Sequence, residues 1–114
     1  MKSFLIFGAI IGFLFVFVKR IQSKGEKDMV KQWIQNGAVV VDVRTQSEFA
    51  EGHYSGAMNI PVDVLPSQIN RLKDKGAKII VYCRSGARSE RAKQILQASG
   101  YSSVLNAGGL SDMP

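Results

Sequence analysis

The 114-residue sequence holds one cysteine, Cys83, and one histidine, His53. A lone thiol excludes an intramolecular disulfide, a CxxC redox pair and a thiolate-rich zinc site. Any cysteine chemistry therefore runs on Cys83 alone. No internal repeat or low-complexity tract interrupts the chain. The length excludes two ordinary domains, and an apolar fraction of 46% is enough for one small core.

A dense basic stripe on the folded part is also missing. The formal charge is +6, but residues 1 to 27 carry five Lys/Arg and one acid, leaving ten bases and eight acids from Asp28 onward. Binding to a phosphate backbone needs clustered Lys/Arg on the domain itself, so nucleic acid is not an expected partner.

The apolar residues are unevenly placed. Phe4 to Val18 reads FLIFGAIIGFLFVFV, flanked by Lys2 and by Lys19-Arg20. As a helix this run covers about 22 Å, and snorkelling lysine and arginine ends bring it within reach of a hydrocarbon layer of roughly 30 Å. Three readings compete: an uncleaved anchor, a secretory signal peptide and an unusually apolar core helix. The sequence that follows, KRIQSKGEKD, lacks the small-residue pattern of a cleavage site, which favours the anchor. Positive charge is heavier after the run than before it, so the positive-inside bias places the domain on the cytoplasmic side. A periplasmic or secreted domain is the alternative if the segment is cleaved. The expected organisation is an apolar membrane segment over residues 1–21, a polar linker over 22–27 and a domain over 28–114.

Within the domain, Asp28 is placed to N-cap a helix bearing Met29, Val30, Trp33 and Ile34 on one side, with Gly37 ending it. Continuous β-branched runs at Ala38–Val43 and Lys78–Tyr82 read as strands buried on both faces, and Ser103–Leu105 as a weaker third. Helical patterns fall between them, at Leu65, Ile69 and Leu72 after Pro66, and at Ala92, Ile95 and Leu96 before Gly100. This alternation predicts an α/β fold with a mostly parallel central sheet and helices on its faces, where sites gather at the carboxyl ends of strands. Trp33 and the Met29/Val30 stripe read as core, and Phe49 as a buried aromatic in a short helix.

Cys83 lies where the strand KIIVY gives way to CRSGARS and a following helix. Gly86 permits a tight turn, so the N–H groups of Ser85 to Ser89 can face inward as an anion-binding nest. A helix N-terminus adds partial positive charge there, and Arg84 and Arg88 add two full charges. Each favours thiolate over thiol, so Cys83 is expected to be ionised near neutral pH. The alternative is an inert buried cysteine at a strand end.

Three stretches together resemble the single-domain rhodaneses, the thiosulfate sulfurtransferase-like family. They are the CRSGARS loop, DVRTQSEFAEGHYSGAMNIP (Asp42 to Pro61, with Tyr54 where isoleucine is usual) and NAGGLSDM (Asn106 to Met113, with Met113 where tryptophan is usual). The resemblance implies a three-layer α/β/α domain and a two-step transfer. The Cys83 thiolate takes the outer sulfur of a small anionic donor such as thiosulfate. The persulfide then hands it to cyanide or a thiol, a protein thiol included, with neither metal nor separate cofactor. Arg84 and Arg88 would attract the donor, while Ser85, Gly86, Ala87 and Ser89 would contribute mainly backbone. Asp42 and Arg44 could serve as a catalytic acid and a substrate ligand, but with Glu48 they are read as structural groups near the site, since near-buried carboxylates need a partner. His53 is read as part of a structural turn, because a thiolate already stabilised needs no base. Loss of the tryptophan, and of the final helix usual in the family, is expected to leave the C-terminal edge poorly packed.

Two other functions compete. A phosphatase or arsenate reductase needs Cys-x5-Arg, but Ser89 stands six places after Cys83 and Arg88 only five. A membrane-tethered binding or scaffold module that has lost turnover is the rival from another class.

Overall fold

The computed structural model describes residues 25–114. The expected membrane segment, residues 1–21, and the start of the linker lie outside the described residues. No helix among the described residues is long and apolar enough to cross a membrane.

Helix α1 runs through residues 25–35 and ends at Gly37, whose φ of 85° only glycine adopts without strain. Residues 25–27, expected as linker, are therefore helical, and Asp28 lies inside the helix instead of capping it. Glu26 and Lys27 tolerate helix as readily as loop, and Val30, further along the same helix, is buried in a cluster with Ile80 and Tyr82. Met29, expected in the core, is 41% exposed, one position off the buried face.

The strands are β1 (Val39–Asp42), β2 (Met58–Asn59), β3 (Ile79–Cys83) and β4 (Val104–Gly109). They form a sheet of order β2-β1-β3-β4, and every pairing is parallel. Between them lie α2 (Gln46–Glu51), α3 (Leu65–Gln68) with a 3-10 turn at Ile69–Arg71, and α4 (Ala87–Ala98). All five residues of β3 are buried. The two-residue period of the strand sends Ile79, Val81 and Cys83 into a core shared with Leu65, Ala92 and Leu96, and Ile80 and Tyr82 into a second core under α1. Helices thus cover both faces, which is why the strands read as continuous apolar runs.

Two features were not legible in the sequence pattern. Strand β2 is only two residues long, and β4 extends to Gly109 through Asn106, Gly108 and Gly109, residues that rarely favour strand. The C-terminal edge is better packed than expected. Met113, at the motif position where tryptophan is usual, lies against the core of Val30, Ile80 and Tyr82, in company with Trp33 and Leu110.

One buried polar network ties the strand ends together. Asp42 is wholly buried, and its carboxylate accepts from the Arg44 N–H at 2.9 Å, from Arg44 Nε and Nη2, and from the Tyr82 hydroxyl at 2.8 Å. The Tyr82 oxygen in turn accepts from Tyr54 N–H at 3.0 Å, and Arg44 Nη2 donates to the Gly52 carbonyl at 2.7 Å. Burial, aided by the hydrogen bond to Asp42, pushes the Tyr82 phenol up to about 12 from its ordinary 10.0, against the opposing Tyr54 N–H. Replacing Tyr82 with phenylalanine leaves the Tyr54 N–H without its acceptor and Asp42 without one donor. The expected cost is about 1–3 kcal/mol, read as a lowered Tm in thermal unfolding; an unchanged Tm would contradict the account.

Candidate active site

Cys83, a buried residue 1% exposed, ends β3, and the chain then turns through Arg84, Ser85 and Gly86 into α4. Gly86 makes that turn with φ 103°, and its N–H points back to Cys83 Sγ at 3.0 Å. Ser89, on the first turn of α4, is also fully buried and sets its hydroxyl 3.4 Å from the same sulfur. Burial opposes charge on the sulfur. The Ser89 hydroxyl and the N–H groups of Ser89, Gly86 and Ser85 outweigh it, so the thiol is lowered from its ordinary 9.0.

This corrects the expected division of labour in two ways. Ser89 offers a side-chain hydroxyl in addition to backbone. Arg88 is held by a different partner: Nη1 and Nη2 donate to the two Glu48 oxygens at 2.7 and 3.0 Å. Glu48 also closes a capping box with Thr45 at the start of α2. The Arg88 hydrogen bond, with those from Thr45, holds the Glu48 carboxyl at about 2, below its ordinary 4.5. Ala87 begins α4 and contributes a small exposed side chain.

Arg84 is exposed and makes no ion pair among the described residues. It stands at a cavity of about 700 Å³ with Arg44, Glu48, Glu51, Leu110 and Ser111. Arg44, which lines this cavity, is paired with the buried Asp42 at 2.6 Å. His53 is exposed, stacks on Phe49 with ring centroids 3.6 Å apart, and donates from Nδ1 to the Phe49 carbonyl. Phe49 is accordingly half-exposed, not buried as its type suggested, because α2 lies on the surface with no buried residue.

Sequence reasoning missed what the NAGGL segment does for the loop. The β3–β4 register slips between Val81 and Cys83, so that Val81 faces Asn106 while Cys83 faces Gly109. A Cβ on Gly109 would stand 2.2 Å from the Arg84 carbonyl oxygen, so the Cys83 loop rests directly on bare backbone. Asn106 accepts from Gly108 N–H at 2.9 Å and donates to the Gly86 carbonyl at 3.1 Å. The GG pair was visible in the sequence as a motif, but its contact with the loop depends on tertiary register.

The arrangement is a buried, hydrogen-bonded sulfur at the carboxyl end of a central strand, and a chain match decides its kinship: the Rhodanese-like domain family matches residues 26–113. The chain belongs to the rhodanese-like family. It is 40% identical over 74 residues to the thiosulfate sulfurtransferase PspE of Escherichia coli, covering 64% of this chain and 71% of that protein. A solved structure described as rhodanese with anions from E. coli superposes with a TM-score of 0.62 at 40% identity, over 68% of this chain and 95% of the other. The uncharacterized protein YqhL of Bacillus subtilis is 33% identical over 112 residues, covering 92% of this chain and 84% of its own. The domain is thus a single rhodanese-like α/β domain with sulfurtransferase relatives.

Two tests follow from the geometry. Gly109→Ala forces its Cβ into the Arg84 carbonyl, so the loop must shift; stability is expected to fall by about 1–3 kcal/mol and the alkylation rate of Cys83 to change with it, whereas a silent substitution would refute the contact. For Glu48, the folded value lies below the unfolded one. The stabilisation from its pair with Arg88 is fully present above about pH 4.5 and is lost as pH falls toward about 2. Both side chains are partly exposed, so the effect is below about 1 kcal/mol, and Glu48→Gln should flatten that stretch of the stability curve in acid titration of Tm.

Proposed function

We propose that the protein is a sulfurtransferase that carries sulfane sulfur as a persulfide on Cys83. The observation that carries this reading is the enclosure of a single buried sulfur by the Gly86 N–H and the Ser89 hydroxyl in a loop of six residues, Cys83 to Arg88. That loop suits one sulfur atom, while a tetrahedral oxyanion calls for a longer one.

In the first half of the cycle a small anionic donor such as thiosulfate enters past Arg84, whose free charge attracts it. The Cys83 thiolate attacks the outer sulfur. A new S–S bond forms at Cys83, the donor's S–S bond breaks, and its electron pair leaves with sulfite. In the second half a thiophilic acceptor, cyanide or a thiol, attacks the terminal sulfur and returns Cys83 as thiolate. The loop donors that hold the thiolate then stabilise the leaving group. Glu48 restrains Arg88, so Arg84 is the primary donor-binding cation in this scheme and Arg88 acts mainly on loop position. The cycle uses no cofactor beyond the covalent persulfide.

We further propose that the apolar residues 1–21 anchor the domain to a membrane, with the domain on the cytoplasmic side. The support is the fifteen-residue run without a polar side chain and the basic residues that follow it.

Intact mass of the full chain in detergent, before and after thiosulfate, tests the chemistry. The expected result is a gain of about 32 Da, one sulfur atom, reversed by cyanide and absent from Cys83→Ser. A folded chain with reduced Cys83 that gains nothing from thiosulfate or other sulfane-sulfur donors would overturn it in favour of a binding module without turnover.

A further inference from the structure

The Ser89 hydroxyl has one proton and four acceptors around it: Asn106 Oδ1 at 2.7 Å, the Gly86 carbonyl at 3.0 Å, Cys83 Sγ at 3.4 Å and the Gly108 carbonyl at 3.5 Å. A hydroxyl donates once. The shortest of the four contacts is to Asn106, so with Cys83 neutral the proton lies on the Asn106 side and the sulfur meets an oxygen lone pair. The orientation of Asn106 leaves no ambiguity, because its Nδ2 faces two acceptors, the Gly86 carbonyl and Glu90 Oε2, both at 3.1 Å. Oδ1 must then be the end that accepts from Ser89 and from Gly108 N–H. All four hydrogen-bonding positions of this carboxamide are engaged, and the residue is fixed.

We propose that Asn106 is a positioning residue that acts through Ser89: it parks the hydroxyl proton while Cys83 is uncharged and releases it to the sulfur when negative charge develops there. The swing needs only rotation about the Ser89 Cβ–Oγ bond, since both acceptors are already within reach. No covalent bond changes, and the proton stays on Ser89. In the persulfide cycle the swing falls on the step that regenerates the thiolate; the proposal rests on that reading only for this placement. Donors that strengthen as charge appears favour the transition state over the ground state.

Other titratable groups surround the loop and bear on any titration: Arg84 in the loop, Arg88 and Glu90 on α4, Glu48 on α2, Asp42, Arg44 and Tyr82 at the strand ends across the sheet, and Asp112, which accepts from Gly109 N–H. A double-mutant cycle holds these constant. The readout is the pH dependence of Cys83 alkylation by iodoacetamide in the full chain, which needs no sulfur donor. Failure here is therefore separate from failure of the persulfide reading.

Asn106→Ala removes the competing acceptor and is expected to lower the alkylation midpoint by roughly half to one pH unit, the size of one net hydrogen bond. In a Ser89→Ala background the same substitution is expected to change the midpoint by much less. A merely structural Asn106 would loosen the loop and raise the midpoint, and a rise, or an equal shift with and without Ser89, overturns the proposal. Should Asn106→Ala fail to fold, Asn106→Asp keeps the bonds to Ser89 and Gly108 while making Oδ1 a stronger acceptor. It is expected to raise the midpoint more with Ser89 present than in Ser89→Ala, and an equal rise overturns the proposal.

Discussion

A buried sulfur can take up charge only where hydrogen-bond donors replace water, and the Cys83 end of the domain gathers such donors around it. Burial alone would push the thiol up; the Ser89 hydroxyl and the N–H groups of the loop reverse this. Those donors converge only because Gly86 adopts φ 103° and α4 begins at once, with its first turn aimed at the sulfur. The loop holds that shape because it rests on Gly109 and is tied from behind by Asn106. The sulfur, the turn, the helix start and the slipped register of β4 are one device. Arg88 beside it is engaged by Glu48, and neutral donors supply the stabilisation.

A buried ion pair on the neighbouring strand shows the same physics used differently. Asp42 has every lone pair directed at a donor from Arg44 or Tyr82, which leaves it a neutralised strut between β1, β3 and the turn at Gly52. It lies one strand away from Cys83, and the two networks touch through adjacent residues Tyr82 and Cys83, whose side chains point to opposite faces of the sheet. A rigid frame on one face and a sulfur ringed by donors on the other together fix the geometry of the site.

Much of this was legible in the amino-acid sequence, for identifiable reasons. Strands β1 and β3 are continuous β-branched runs, and α4 has clear helical spacing, so local chemistry and final structure agree. Cys83 and its loop were found from the convergence of strand, glycine and helix start. What escaped notice depends on tertiary register. Asn106, Gly108 and Gly109 look like a turn, yet they finish a strand because the slip beside Cys83 needs bare backbone there. The engagement of Arg88 by Glu48 joins residues forty positions apart, and no local spacing announces it. Likewise the exposure of Met29 and Phe49 reflects where α1 and α2 happen to meet the sheet, which residue type does not encode.

The central claim is that loop donors hold Cys83 as a thiolate below the ordinary thiol range, despite burial. Because Cys83 is the only cysteine, its ionisation can be followed directly by the ultraviolet absorbance of the thiolate across pH, with Cys83→Ser as the blank that removes the tyrosine contribution. A midpoint below 9.0 is the predicted result. A midpoint at or above it would mean that burial wins, and the account of the site would be wrong.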